Sequence, residues 1–270
     1  MGFSVNTNLS ALNAYNALAK VNAQTERAQL RLATQKRINS VADDTSGFNI
    51  GKTLESSNGV MTAQRGNISS AKNYLSTAES ALLQVVDKIN AIVAKQVDAS
   101  DPLKDQAAIA NDIRTIAGEI SSILSNTKIG STDILSSASA TAAFNVGTTV
   151  TLDFAGAGYL NAHDPATTLG SGGLTSTTNA TVIATSTANL TADVKAALGR
   201  IGNLTQTLDS KDDFLAAAIS NNTAAISKLF DADMAMEQLN ATKGQIGQQI
   251  GTSMLAQLNI APQNILSLFR

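Results

Sequence analysis

Residues 54–92 read LESSNGVMTAQRGNISSAKNYLSTAESALLQVVDKINAI. Within them Leu54, Met61, Ile68, Leu75, Leu82 and Ile89 recur every seventh residue, and Ala71, Ala78, Val85 and Ile92 form a second row. Two apolar rows at heptad spacing keep one seam of a helix turned toward a partner, so the stretch reads as one strand of a coiled coil. At about 1.5 Å per residue the repeat spans roughly 50 Å. It stops near Asp98-Ala99-Ser100-Asp101-Pro102. There Pro102 ends the helix, and Ser or Asp can cap the next one. That next helix carries Ile109, Ile113, Ile116, Ile120 and Ile123 and ends before Gly130. The two helices are predicted to form an antiparallel hairpin about the Pro102 turn. Taken alone, such rows favour an ordinary helical bundle core over an assembling rod.

The flanks share this character. Residues 5–35 place Leu9, Leu12, Leu18, Val21, Ala28 and Leu32 at steps of three, four and seven, and a break is expected in Asn39 to Gly51, at Asp43, Asp44 and Gly47. Toward the other end Val194, Ile201, Leu208 and Leu215 hold seven-residue spacing, joined by Leu190, Leu198, Ile219, Ile226 and Leu229. A last helix carries Met236, Leu239, Ile246, Ile250, Met254 and Leu258, with Gly244, Gly247 and Gly251 inside it. Each glycine costs a helix up to about 1 kcal/mol against alanine, so this helix is expected to need a partner surface to form. Gly247-x-x-x-Gly251 permits close helix approach. Both ends are patterned as helices with nothing local to pack on. They are predicted to pair with each other and with neighbouring copies through Leu9, Leu12, Leu18, Val21, Leu32, Ile246, Ile250, Met254, Leu255, Leu258, Ile265 and Leu268.

Residues 131–190 differ: Ser, Thr, Ala, Gly and Asn dominate and charge almost vanishes. Phe144, Val146, Val150, Leu152 and Phe154 alternate around Gly147, the pattern of a β-hairpin. Thr181 to Thr187 reads as a short Thr/Val/Ile-rich strand, with helical period returning at Leu190. The stretch has two open readings: solvated surface, or an acceptor for O-linked glycans. The fold class expected is mainly α, a long antiparallel coiled-coil bundle with paired N- and C-terminal helices, a small β-hairpin and a short variable insert.

Composition narrows the function. The 270 residues are 43% hydrophobic but only 4% aromatic, with no Trp, so helix seams of Ala, Leu, Ile and Val fit better than an aromatic-rich enzyme core. Nineteen basic against 21 acidic residues, with no basic stretch, argue against a nucleic-acid partner. No cysteine is present for a disulfide or thiolate site. Residues 1–20 show no basic n-region before an unbroken apolar run, and no stretch of 18 apolar residues spans a membrane. His163 is the sole histidine and sits in a Gly/Asn-rich loop. No His-Glu-x-x-His run, Walker loop or Ser/His/Asp arrangement is present, so catalytic, metal and cofactor sites are expected to be absent. Asp43, Asp44, Asp231 and Asp233 lack EF-hand spacing and are read as caps and ion-pair partners.

The two ends carry a resemblance. Val5-Asn6-Thr7-Asn8 with Ala11-Leu12, Arg37-Ile38-Asn39-Ser40 with Asp43-Asp44 and Gly47, Asp231-Ala232-Asp233 with Ala235 and Glu237, and Met254-Leu255-Ala256-Gln257-Leu258-Asn259 with Pro262-Gln263 resemble bacterial flagellin. The likeness covers about residues 1–135 and 195–270, and the hairpin from Phe144 to Phe154 is similar to the family's. It implies a structural subunit that polymerises into the flagellar filament for motility. Residues 1–42 with 231–270 would form an inner coiled-coil layer, 43–135 with 190–230 a second helical rod layer, and 136–189 the hairpin and short surface insert. The implied route is export of the unfolded chain without a cleaved signal, into an extracellular filament. The implied partners are copies of itself, the flagellar export apparatus, an export chaperone at the C-terminal helix, and the filament cap and junction proteins. A hook–filament junction protein with similar termini, or a secreted non-polymerising helical adhesin, are the alternatives. The chain also departs from the family. Asn90-Ala91-Ile92-Val93-Ala94 stands where Arg-Glu-Leu-Ala-Val is frequent, which puts recognition by the vertebrate flagellin receptor in doubt. Thr205 to Leu215 and Lys228-Leu229-Phe230 depart as well.

Overall fold

The computed structural model describes residues 8–130, 132–135, 141–153 and 179–268; side chains are described for these except at 132, 141, 153, 179–181 and 261–268. Phe154, His163 and the end of the Ser/Thr-rich stretch before Asn179 lie outside them. Helices α1 (Leu9–Thr34), α2 (Thr45–Asp98) and α3 (Gln106–Asn126) come first. Two short hairpins follow, β1 (Lys128–Ile129) with β2 (Thr132–Asp133), and β3 (Thr141–Asn145) with β4 (Thr149–Asp153). Helices α4 (Asn179–Phe230) and α5 (Met234–Leu268) complete the order. The chain divides into two compact units: residues 1–58 with 220–270, and residues 59–219.

The unit of residues 59–219 is built on the heptad rows. Ile68, Leu75, Leu82 and Ile89 are buried together with Ala71, Ala78, Val85 and Ile92. Facing them from α4 are Leu190, Val194, Ile201, Leu208 and Leu215, all buried. Helix α3 adds Ile109, Ile113, Ala117, Ile120 and Leu124, while Ile116 and Ile123 sit at the edge, half-buried. In the buried row Ala117 and Leu124 thus take the places expected of Ile116 and Ile123, while Ile120 keeps its own. Ion pairs give the helix directions. Lys88 meets Glu119 and Lys95 meets Asp112, each at 2.7 Å, so α3 runs antiparallel to α2. Arg65 meets Asp212 and Lys72 meets Asp209, also at 2.7 Å, which sets α4 antiparallel to α2. These pairs are solvent-exposed and screened by water, so they bias register more than they hold the bundle.

The α2–α3 turn forms as its residues dictate. The Asp105 carboxylate accepts from the amides of Ala107 and Ala108 and caps α3. Hairpin β3–β4 pairs Phe144 with Val150 and Ala142 with Leu152 across a turn at Gly147, whose φ of 88° suits glycine. Leu152 and Val146 enter the core, and Phe144 meets Tyr74 of α2 edge-on at 6.1 Å. Asn67 donates to the Asn145 carbonyl and Lys211 to the Thr148 hydroxyl, both at 2.7 Å, which ties the hairpin to α2 and α4.

One expectation is overturned. Thr181 to Thr187 is not a strand but part of the first turns of α4, which begins at Asn179, ahead of Leu190. Ile183, Ser186, Thr187 and Leu190 are buried, at helical steps of three and four. Thr187 donates its hydroxyl to the carbonyls of Ile183 and Ala184, a bond that lets a β-branched polar residue sit inside the helix. Burial of one helical face outweighs the weak strand propensity of Thr, Val and Ile.

Candidate assembly interface

The unit of residues 1–58 and 220–270 holds α1 and α5 side by side and antiparallel. Asn8 caps α1 by accepting from the Ala11 amide, and its side-chain amide donates to the Leu258 carbonyl, both at 3.0 Å. Further along, Leu18 lies on Gly251, Val21 on Gly247 and Thr25 on Gly244. A Cβ at Gly251 would stand 2.9 Å from Leu18 Cδ1, and one at Gly247 would stand 3.2 Å from Val21 Cγ1. A Cβ at Gly244 would collide with the buried Thr25 hydroxyl, which itself donates to the Val21 carbonyl at 2.7 Å. The three glycines thus form a groove in α5 that receives a ridge of α1. Their helix-weakening backbone is the condition for close approach, and the contact supplies the partner surface that α5 needs. Ala28 and Ala241 continue the seam, both buried, and Arg31 meets the buried Glu237 at 3.1 Å.

Beyond the seam the two chain segments are strapped together. Arg37 donates its amide to the Phe230 carbonyl at 2.6 Å and its guanidinium to the Leu229 carbonyl at 2.9 Å. Ala232 donates to the Gln35 carbonyl at 3.0 Å, and Lys36 and Asp231 form an antiparallel bridge. Gln35 closes α1 in the left-handed region, with φ 59°. Phe230 is buried against the face of α2, where Gly51 leaves no room for a side chain. Phe48 packs on it at 6.2 Å between ring centres, and the ammonium groups of Lys36 and Lys52 lie 5.8 Å from the rings of Phe230 and Phe48 respectively. Nothing in the periodicity of the sequence points to this strap. The signals available are a glycine that faces an aromatic and the Arg37-Ile38 block, and neither names its partner.

The acidic residues act as caps. Asp43 accepts from the amides of Asn39 and Ser40 and from the Ser40 hydroxyl. Asp44 accepts from the Gly47 amide, and Asp233 caps α5 through the amides of Ala235 and Met236. Asp231 accepts from the Ser227 hydroxyl. Among the described residues no cluster of His, Cys, Asp or Glu could hold a metal ion.

Chiefly the amide of Ser40, then that of Asn39, hold the Asp43 carboxyl below its ordinary value of 3.8. Asp212 is lowered by the hydrogen bond from Arg65, and Asp98 by that from Lys104. A carboxyl lowered on folding stabilises the fold above its unfolded pKa and loses that contribution as pH falls through the lower folded value. Helicity followed by circular dichroism is therefore expected to hold from neutral pH down to the ordinary carboxylate range and to fall below it. Asp43→Asn moves the onset of loss in the terminal unit. An acid profile unchanged by Asp43→Asn removes the cap from the account.

The predicted interface residues divide between two places. Leu18, Val21, Leu32, Leu255 and Leu258 are half-buried, with Leu18 and Val21 in the α1–α5 seam. Leu9, Leu12, Ile246, Ile250 and Met254 are each more than half exposed on the single chain. Ile265 and Leu268 lie in α5, but their side chains are outside the described residues. Tyr15, Leu30, Met236, Leu239 and Ile260 are further exposed apolar residues of the same helices, beyond the predicted interface set. At 3.6 residues per turn, Met236, Leu239, Ile246, Ile250 and Met254 fall within roughly a quarter of the circumference of α5, beside the glycine line rather than on it. A groove of about 660 Å³ lies along the seam, lined by Val21, Ala28 and Ile250 together with Arg27, Arg31 and Lys243.

Paired long helices that bury one stripe and leave another bare present an apolar interaction surface, as a structural subunit does. Comparison with known proteins gives the family. Residues 5–140 match the bacterial flagellin N-terminal helical region, and residues 182–269 match the bacterial flagellin C-terminal helical region. The chain belongs to the bacterial flagellin family, and it is a structural subunit of a flagellar filament. It is 28% identical to a flagellin of Brucella melitensis over 99% of both chains. It is 26% identical to a flagellin of Bacillus subtilis, over 98% of this chain and 99% of that one. The flagellar filament 33 kDa core protein of Treponema phagedenis is 27% identical, again over 98% and 99%. Among solved structures, a chain of Vibrio parahaemolyticus described as a putative flagellar hook-associated protein superposes with a TM-score of 0.54. It covers 70% of this chain and 98% of that one at 16% identity, a likeness of fold alone. The full-length flagellin relatives do not favour a hook-associated role or a non-polymerising adhesin.

Proposed function

We propose that the filament is built by two successive burials on the terminal helices. The first is the α1–α5 seam inside one chain. The second covers the stripe of Leu239, Ile246, Ile250 and Met254, with Leu9 and Leu12 of α1, against neighbouring copies. The observation that carries this is the apolar stripe left bare after the seam has closed. Residues 1–42 with 231–270 form the inner layer of the filament, and residues 43–135 with 190–230 its rod layer. The chain travels unfolded through the flagellar export apparatus, with a chaperone on the C-terminal helix, and adds beneath the filament cap to an extracellular filament. Helices that cannot cover their apolar stripes alone stay threadable until copies meet, and the ordering entropy is offset by burial between copies.

Two measurements test it. The free chain is expected to show less helix by circular dichroism than the sedimented polymer at equal concentration; equal helicity in both defeats the ordering step. Removing residues 251–270 deletes the Gly251, Leu255 and Leu258 contacts and one end of the bare stripe, and is expected to abolish sedimentable filaments while residues 59–219 stay helical. Normal filaments from that truncation refute terminal pairing.

A further inference from the structure

The chain holds five methionines and no cysteine, so thioethers are its only sulfur chemistry. Their surroundings differ. Met61 is half-buried against the rod core. Met236 is 55% exposed and Met254 54% exposed, both on the bare stripe of α5. The two positions are 18 residues apart, five full turns, so the two sulfurs lie in line, about 27 Å apart along the helix. Met234 is also exposed, but about half a turn around the helix from that line.

We infer that Met236 and Met254 form an oxidation-sensitive modification site whose sulfoxide state blocks addition of this chain to its copies. The inference rests on the reading of the stripe as a copy-to-copy surface. The reagent is a hydroperoxide. With hydrogen peroxide, a thioether lone pair attacks one peroxide oxygen, the O–O bond breaks and an S–O bond forms; the departing hydroxide takes the proton of the new S–OH group and leaves as water, and the sulfoxide remains. Sulfur is oxidised by two electrons and the peroxide is reduced by two. The product replaces a flexible apolar side chain with a polar acceptor at both ends of a stripe whose apolar members are Leu239, Ile246 and Ile250, with Lys243 among them. On that face the stripe residues nearest the two sulfurs are Leu239, three residues from Met236, and Ile250, four from Met254; neither donates a hydrogen bond, so a sulfoxide buried against them loses the water it had in the free chain. The exposed stripe reacts in the free chain, whereas burial in the polymer shields it. The device therefore acts on chains waiting to assemble.

The test uses the whole purified chain and hydrogen peroxide, with peptide mass mapping of every methionine and sedimentation to give the critical concentration. Met236 and Met254 are expected to oxidise in the free chain well ahead of Met61, and the critical concentration to rise about tenfold or more. The double variant Met236→Leu with Met254→Leu keeps the remaining methionines, and its critical concentration is expected to be unaffected by peroxide. Methionine sulfoxide reductase is expected to restore assembly of the oxidised wild type. If the untreated wild type does not polymerise, the filament reading itself fails. If chains mapped as sulfoxide at both positions polymerise at the untreated concentration, or the double variant loses assembly as the wild type does, the inference is overturned. Should the double variant not assemble untreated, reversal decides: recovery on reduction supports the site, and no recovery with both thioethers restored overturns it.

Discussion

Gly51→Ala is expected to destabilise the terminal unit by about 3 kcal/mol, although alanine is the better helix former. A Cβ at this position would overlap the edge of the Phe230 ring at Cε2 and Cζ. That ring cannot swing aside freely, because it is buried, packed by Phe48 and anchored through its carbonyl to the Arg37 amide. Displacing it forfeits most of the burial of a phenylalanine and loosens the strap between the α1 and α5 segments. Gly59→Ala on the same helix is the control. Nothing lies within 4 Å of its added Cβ, so it is expected to be neutral or to stabilise by up to about 1 kcal/mol. Thermal melts of the two variants give the comparison. Equal melting temperatures would show that the Phe230 contact holds nothing.

The second large effect is expected at the seam. Gly244→Val places a branched side chain against Thr25 and separates α1 from α5, with a loss of about 1–3 kcal/mol and no filament formed. Thr25→Ala removes the hydroxyl and methyl that the new side chain would meet, so the double variant Thr25→Ala with Gly244→Val is expected to recover part of both stability and assembly. The coupling energy from the double-mutant cycle is the decisive quantity. Additive effects of the two changes would mean that residues 25 and 244 do not face one another. Recovery of stability without assembly would separate seam closure from the later packing of copies.

Much of the rod is legible in the sequence. A buried seam forces a repeat of seven, and the rows through Ile68, Leu75 and Leu82 and through Val194, Ile201 and Leu208 are what the core contains. The hairpin is legible for a similar reason, since its alternation turns about a glycine with positive φ. The phase of α3 is less so. Isoleucines at 116 and 123 are the larger apolar residues, but the buried row passes through Ala117 and Leu124, because a close helix seam takes alanine as readily as a larger residue. The start of α4 reads as a strand and folds as helix, because Thr, Val and Ile favour strands only weakly and one buried helical face overrides them.

The candidate interface divides along the same line. Periodicity in this sequence determined that both ends are amphipathic helices in need of partners, and the terminal blocks indicated the family. Which apolar residues meet inside the chain was decided by tertiary structure alone. Leu18 and Val21 enter the seam, while Leu9, Leu12, Ile246, Ile250 and Met254 remain on its outside. Gly244, Gly247 and Gly251 read as a weakness of one helix until Thr25, Val21 and Leu18 are seen in the space they leave. The physical reason is that hydrophobic period is a property of a single helix, fixed by 3.6 residues per turn, whereas room for a side chain is set by the atoms of another segment more than two hundred residues away.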